Sequence, residues 1–137
     1  MVLPWLLYKM THFKSKGIEY KGKTIRILIA DNFARQLVGL MYRQGIGSDE
    51  GMLFIFGRES RWGIWMQNMK FPIDIVWLDR NGAVVDIKRY ASPCRSVFEC
   101  ETYRPRSASK YVLELAAGGA KAYGIVIGGR VDLKSAF

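Results

Sequence analysis

Short apolar runs separated by turn residues recur along the chain, and this pattern limits the folds open to it. Residues 18–30, "IEYKGKTIRILIA", divide at a Lys-Gly-Lys turn into two alternating segments. Residues 72–78, "PIDIVWL", lead into the turn pair Asn81-Gly82, and residues 125–133 form a last apolar segment with a Gly-Gly kink. Runs of this length and period are typical of β-strands. They predict a mainly β (α+β) fold, either a small antiparallel β-barrel or a sandwich-like domain, with one or two short helices.

The segment that begins at Asp31 changes to a helical period. Asp31 or Asn32 is suited to cap the start of a helix, because a short polar side chain can accept a backbone N–H bond there. Phe33 and Leu37 recur at the spacing of one helix face, and Gly45 is suited to end the helix. We therefore predict one clear helix after the first two strands.

Length and composition predict a single domain. The chain has 137 residues, half of them hydrophobic, which is enough for one core. We assign residues 18–137 to this domain and residues 1–17 to an N-terminal extension that we expect to be mobile. No apolar run approaches the ~20 residues that a membrane helix needs, and no signal peptide is recognised. We therefore expect a cytoplasmic protein without a transmembrane segment.

Asp74 interrupts the apolar strand "PIDIVWL", where a carboxylate is costly unless it is hydrogen-bonded or paired. One interpretation is structural: Asp74 accepts loop N–H groups or pairs with an arginine, and so holds the "QNMKFP" turn. The other places Asp74 in a polar pocket with Asn68 and Tyr103, beside Trp65 and under the irregular loop 91–109. On this basis we predict a non-enzymatic module that binds a small ligand or a protein partner.

Glu114 in "YVLEL" shares a strand face with Val112. It is interpreted as a solvated residue or the partner of an arginine, or else as part of a site. Asp74 and Glu114 together form the acid/base pair of an alternative, enzymatic hypothesis. No nucleophile elbow, phosphate loop or dinucleotide glycine motif accompanies them, so an enzyme is the less favoured class.

Cys94 and Cys100 are spaced as C-x5-C. A local disulfide across the loop and a reactive thiol beside Arg95 are both open interpretations. Two thiols and the distant His12 do not make a tetrahedral zinc site, so we predict no metal and no cofactor. The formal net charge of +9 raises a further alternative, nucleic-acid binding through a basic surface, although the charges are dispersed.

Several motifs in order resemble those of the domain-of-unknown-function family 192, an uncharacterised protein family of bacteria and archaea. The matching segments are "GLMYR" (39–43), "GMLFIF" (51–56), "IWMQNMKFPIDIVWLDRNGAVV" (64–85), "SPC" with a second cysteine and Tyr103, and "YVLELAAG" (111–118).

The resemblance implies a mostly antiparallel β domain with one or two helices and assigns no activity. The motif residues that it carries over, without roles, are Trp65, Met66, Asn68, Pro72, Asp74, Cys94, Tyr103 and Glu114. Two positions depart from the family pattern: Ala116 stands where proline is usual, and Gly129 stands where aspartate is common. Both lie at turns, so they put turn geometry in question more than membership.

Overall fold

The computed structural model describes residues 4–5 and 12–137. The extension predicted over residues 1–17 therefore lies largely outside the described residues. Its last four residues belong to the first strand, which begins at Lys14.

Eight strands and two short helices make up the described part of the chain. The strands are β1 (Lys14–Tyr20), β2 (Lys23–Ala30), β3 (Glu50–Ser60), β4 (Ile64–Trp65), β5 (Ile73–Leu78), β6 (Val84–Ala91), β7 (Thr102–Tyr103) and β8 (Ser109–Ala116). The helices are α1 (Phe33–Val38) and α2 (Gly119–Tyr123), and single 3₁₀ turns span Val97–Glu99 and Lys134–Ala136.

Six strands form one mixed sheet in the order β1-β2-β3-β8-β5-β6, and β4 pairs with β7 in a separate two-stranded sheet. The pairing is antiparallel except between β2 and β3. That parallel pair requires a crossover, because the chain must return to the same end of the sheet, and α1 lies in the connection. The crossover places α1 over one face of the sheet.

The mainly β class with short helices is confirmed, but the sheet is not a closed barrel. The last strand, predicted over residues 125–133, is wrong. Gly128 has a φ of 89°, and the Gly129 N–H donates to the Val126 carbonyl, so a turn interrupts the segment. What remains are isolated bridges, Glu19 to Asp132 and Ala83 to Arg130, which touch both margins of the sheet without closing it.

Apolar clusters cover both faces of the large sheet. On the face that carries α1, called here the α1 face, Ile73, Ile75 and Trp77 pack with the residues around Leu40. On the opposite α2 face, Val76 and Leu78 pack in the cluster that contains Ala120 of α2. Side chains along β5 therefore alternate between the two faces, as expected of a strand. Because both faces are covered, every residue of β5 is buried, Asp74 included.

Helix α1 begins as predicted and ends early. The Asn32 side chain caps it by accepting the Arg35 N–H at 2.8 Å. The predicted end at Gly45 is wrong, since the chain leaves the helix at Gly39, where φ is 50°. With only six residues the helix does not bury Phe33 and Leu37, which are 79% and 50% exposed.

Candidate functional site

A cavity of about 410 Å³ opens on the α1 face, and it is called here the Glu114 cavity. Helix α1 and the residues just after it form one wall, β3 and the 62–66 segment form another, and Glu114 of β8 contributes to the lining. The volume is within the range of pockets that hold small molecules.

The walls of the Glu114 cavity are largely aromatic and aliphatic. The ring of Phe56 stacks on Trp62 with centroids 4.2 Å apart, and Phe54 follows at 6.3 Å from Phe56. The Trp62 indole N–H is already used, because it donates to the Arg58 carbonyl at 3.0 Å. These rings therefore provide an apolar surface for a ligand and few hydrogen bonds.

Glu114 is the one carboxylate in the lining of this cavity. In register it lies between Met52 of β3 and Ile75 of β5, so its strand neighbours are apolar. The residue is 4% exposed, and within residues 4–5 and 12–137 its carboxyl group has no hydrogen bond or ion pair. Burial raises the pKa of the Glu114 carboxyl group from its ordinary 4.5 to about 8. The group is therefore mostly protonated at neutral pH.

Gln36 of α1 supplies the second polar group of the cavity lining. Its Nε2 donates to the carbonyl oxygens of Ala30, at 3.1 Å, and Ile55, at 2.7 Å. Both amide hydrogens are thus committed, which fixes the orientation of the amide. The Oε1 atom has no donor among the described residues, so it remains an acceptor.

Asp74 lies on the other face of the sheet. It is fully buried, and its two carboxylate oxygens accept the backbone N–H groups of Tyr90 and Ala120, each at 3.0 Å. The carboxylate thus ties β5 to the end of β6 and to the first turn of α2. It accepts backbone N–H groups, but these come from a strand and a helix and not from a loop or the "QNMKFP" turn, as the structural interpretation expected.

The structure does not bring Asp74 and Glu114 together. Asp74 pairs in register with Leu115, and Glu114 pairs with Ile75, so adjacent positions of neighbouring strands place the two carboxylates on opposite faces. An acid/base pair between them is excluded by this geometry.

The other predicted pocket residues have separate surroundings. Trp65 lines the Glu114 cavity and is 45% exposed. Asn68 is exposed, with a φ of 60°, and its Nδ2 lies 3.8 Å from the Met41 sulfur. Tyr103 pairs with Ile64 in the small sheet, and the Lys88 ammonium lies 5.0 Å from its ring. Neither Asn68 nor Tyr103 is part of the cavity lining.

The loop 91–109 carries the cysteine pair. The sulfur atoms of Cys94 and Cys100 lie at disulfide-bonding distance, with the Cα atoms 5.0 Å apart. Neither cysteine is free, so the reactive-thiol interpretation is not supported.

In the described ranges, no group of three or more His, Cys, Asp or Glu side chains could hold a metal ion. No helix there is long and apolar enough to cross a membrane.

The sequence left three interpretations of Glu114: a solvated residue, the partner of an arginine, or part of a site. Its burial and its lack of an ion pair among the described residues contradict the first two. The signal that indicates its position was present: Glu114 shares its strand face with Val112, which is fully buried on the α1 face. Gln36 and the aromatic wall gave no signal as site residues, because strands distant in sequence bring them together.

The chain belongs to the family DUF192, described as "Uncharacterized ACR", and the match spans residues 16–133. It is 31% identical over 121 residues to a UPF0127 protein of Pyrococcus abyssi, covering 87% of this chain and 92% of the relative. It is 33% identical over 121 residues to a UPF0127 protein of Thermococcus sibiricus, covering 87% of this chain and 71% of the relative. The membership indicated by the sequence motifs is confirmed.

Two crystal structures are similar to this chain. One, from Sinorhizobium meliloti, is described as a "putative transcription regulator"; its TM-score is 0.79 at 28% identity, covering 89% of this chain and 95% of that one. The other is a protein of unknown function from Novosphingobium aromaticivorans, with a TM-score of 0.76 at 26% identity, covering 88% and 84%. The fold is thus shared beyond the curated relatives.

Proposed function

We propose that this protein is a binding module that holds a small, mainly apolar molecule in the Glu114 cavity. The observation that carries the proposal is the buried Glu114 carboxyl group, which has no protein partner among the described residues and lines an otherwise apolar cavity. The group is open to the cavity and not sealed within the protein, since no fully buried side-chain nitrogen or oxygen of the described residues lacks a hydrogen-bond partner. Apolar walls leave a carboxyl group poorly solvated, so a ligand that bonds to it would stabilise the bound state.

The exposed rim of the cavity supports the same function. Phe33, Leu37 and Trp65 line the cavity and are 79%, 50% and 45% exposed. Large apolar side chains gathered at the mouth of a cavity are typical of binding sites. A ligand that covers them removes apolar area from water, at about 25 cal/mol for each Å² buried.

The enzymatic alternative through Asp74 has less support. Both of its oxygens accept backbone N–H bonds, and the residue is fully buried on the face opposite the cavity. A group held in this way has a sufficient role in positioning β6 and α2.

A neutral aromatic probe tests the proposal. We expect 2-phenylethanol to bind saturably with a Kd of about 1 mM, as small ligands of this size do in apolar pockets. In amide NMR spectra the shifts should concentrate in residues 36–41 and 62–66, which belong to the cavity walls.

A matched pair of variants separates cavity binding from surface adsorption. Gly57 lines the cavity, and an added Cβ there meets nothing within 4 Å, so Gly57→Phe adds bulk at the cavity. Gly45 has equally open surroundings and does not line the cavity, so Gly45→Phe is the control. We expect at least a tenfold loss of affinity in the first variant alone. Absence of binding to the unmodified protein, or equal binding by both variants, would overturn the proposal.

A second candidate function is nucleic-acid binding, favoured by the formal net charge of +9 and by the description of the Sinorhizobium meliloti neighbour. Exposed lysines at 14, 16, 21 and 23 lie on the β1–β2 hairpin. Retention on DNA that survives ~200 mM salt and depends on base sequence would support this function. Retention that is lost at that salt concentration would indicate non-specific electrostatic attraction and contradict this function.

A further inference from the structure

The Glu114 cavity contains few polar groups. Four lining side chains contain nitrogen or oxygen: Gln36, Trp62, Trp65 and Glu114. The amide hydrogens of Gln36 are committed to Ala30 and Ile55, and the Trp62 indole N–H is committed to a backbone carbonyl. Trp65 is half exposed at the rim. The polar groups left for a ligand are therefore the Glu114 carboxyl group, on a residue 4% exposed, and the Gln36 Oε1.

An ammonium group complements these acceptors. It carries three donors and no acceptor, so it has enough donors for both Glu114 and Gln36, whereas a hydroxyl has one donor. When the ammonium binds, the protonated Glu114 releases its proton to solvent, and the carboxylate that forms is paired with the opposite charge. The aromatic wall adds a favourable surface, because the faces of rings such as Phe54 and Phe56 attract cations. A carboxylate ligand has no donor for the Gln36 Oε1, and it meets a like charge wherever Glu114 is ionised.

We propose that the ligand of the Glu114 cavity is an amine, with an apolar body against the aromatic wall and an ammonium group bound by Glu114 and Gln36. This inference rests on the proposed binding function and specifies the ligand class for the same site.

The net charge of the protein does not explain amine binding by long-range attraction. With a formal net charge of +9, the protein repels cations at long range. A preference for an amine over a neutral molecule of the same shape must therefore come from local groups. Glu114 is the one acidic residue in the cavity lining.

The test compares three probes of nearly the same shape by isothermal titration calorimetry at pH 7. The probes are 2-phenylethylamine, 2-phenylethanol and phenylacetate, whose polar ends are cationic, neutral and anionic. We expect the amine to bind at least tenfold more tightly than the alcohol, and the alcohol more tightly than phenylacetate. In Glu114→Gln the preference for the amine should fall to less than threefold, while the alcohol still binds.

The control is Glu101→Gln, which removes one negative charge from an exposed residue outside the cavity and should keep the preference. If the alcohol binds and the amine binds no more tightly, the amine inference is overturned and the proposed function stands. If the preference survives in Glu114→Gln, or is lost equally in the control, the assignment to Glu114 is overturned. If none of the three probes binds, both the inference and the proposed function fail.

Discussion

Glu114→Gln should make the protein more stable than the unmodified chain at alkaline pH and nearly equal to it at pH 5. The buried carboxyl group holds its proton up to a pKa of about 8 in the folded state, against an ordinary 4.5. Between these values the folded state binds one proton that the unfolded state has released. Stability therefore falls as the pH rises through this window, and a glutamine, which does not titrate, abolishes that loss.

The size of the effect follows from the two pKa values. Each pH unit within the window costs about 1.4 kcal/mol of unfolding free energy. The window from 4.5 to about 8 therefore corresponds to about 5 kcal/mol in total for this group. No charged side chain flanks Glu114 in register, since its partners are Met52 and Ile75, so the difference between the two proteins reports mainly this carboxyl group.

Urea unfolding of the unmodified protein, Glu114→Gln and the exposed-site control Glu101→Gln at pH 5, 6, 7 and 8 measures the effect. We expect the advantage of Glu114→Gln to grow by roughly 1 kcal/mol for each pH unit, and the control to follow the unmodified protein. An advantage that stays constant or shrinks as the pH rises would refute the burial of an unpaired carboxyl group.

Three further substitutions test structural features by urea unfolding. Asp74→Asn should lower the unfolding free energy by about 3 kcal/mol, because its amide NH₂ opposes a backbone N–H that the carboxylate accepts. Gly82→Ala should cost about 2 kcal/mol more than Gly22→Ala. Both glycines have a φ of 79°, but an added Cβ meets a backbone oxygen at 2.3 Å only at Gly82. Joint replacement of Cys94 and Cys100 by serine should cost about 2 kcal/mol, as expected for the short loop between them.

Each of these outcomes has a contradicting result. A neutral Asp74→Asn would mean that the two backbone N–H groups find other acceptors. Equal costs at the two glycines would remove the contact near Gly82 as a cause and leave backbone strain alone. If reducing agent leaves the unmodified protein as stable as before, the disulfide makes no contribution.

Local features of the fold could be predicted because they depend on neighbouring residues. The alternation along β5 predicts which side chains share a face, and the Asn32 side chain predicts the start of α1. The early end of α1 could not be predicted in this way. It depends on a positive φ at Gly39 and on the closeness of that residue to Phe54, since an added Cβ would lie 3.1 Å from that ring.

The candidate site was less predictable because its parts come from distant segments. The polarity of Asp74 correctly indicates a demand for partners, but those partners are backbone N–H groups of Tyr90 and Ala120, which any residue supplies. The burial of Glu114 depends on its apolar neighbours on β3 and β5. Those neighbours follow from the order of strands in the sheet, which the local sequence pattern does not predict. The family motif includes both carboxylates, but it does not distinguish a structural role from a ligand-facing one.

The bridges made by the segment 128–132 have a consequence for association between copies of the chain. This segment contacts Glu19 of the outer strand β1, and it contacts Ala83 and Val84 where the outer strand β6 begins. Unpaired strand edges act as templates for another chain, which leads to aggregation or domain swapping. Because one segment covers part of both edge strands, a substitution that displaces it exposes unpaired backbone groups on β1 and β6 together. Such a molecule could add strands at either end and grow as an extended assembly.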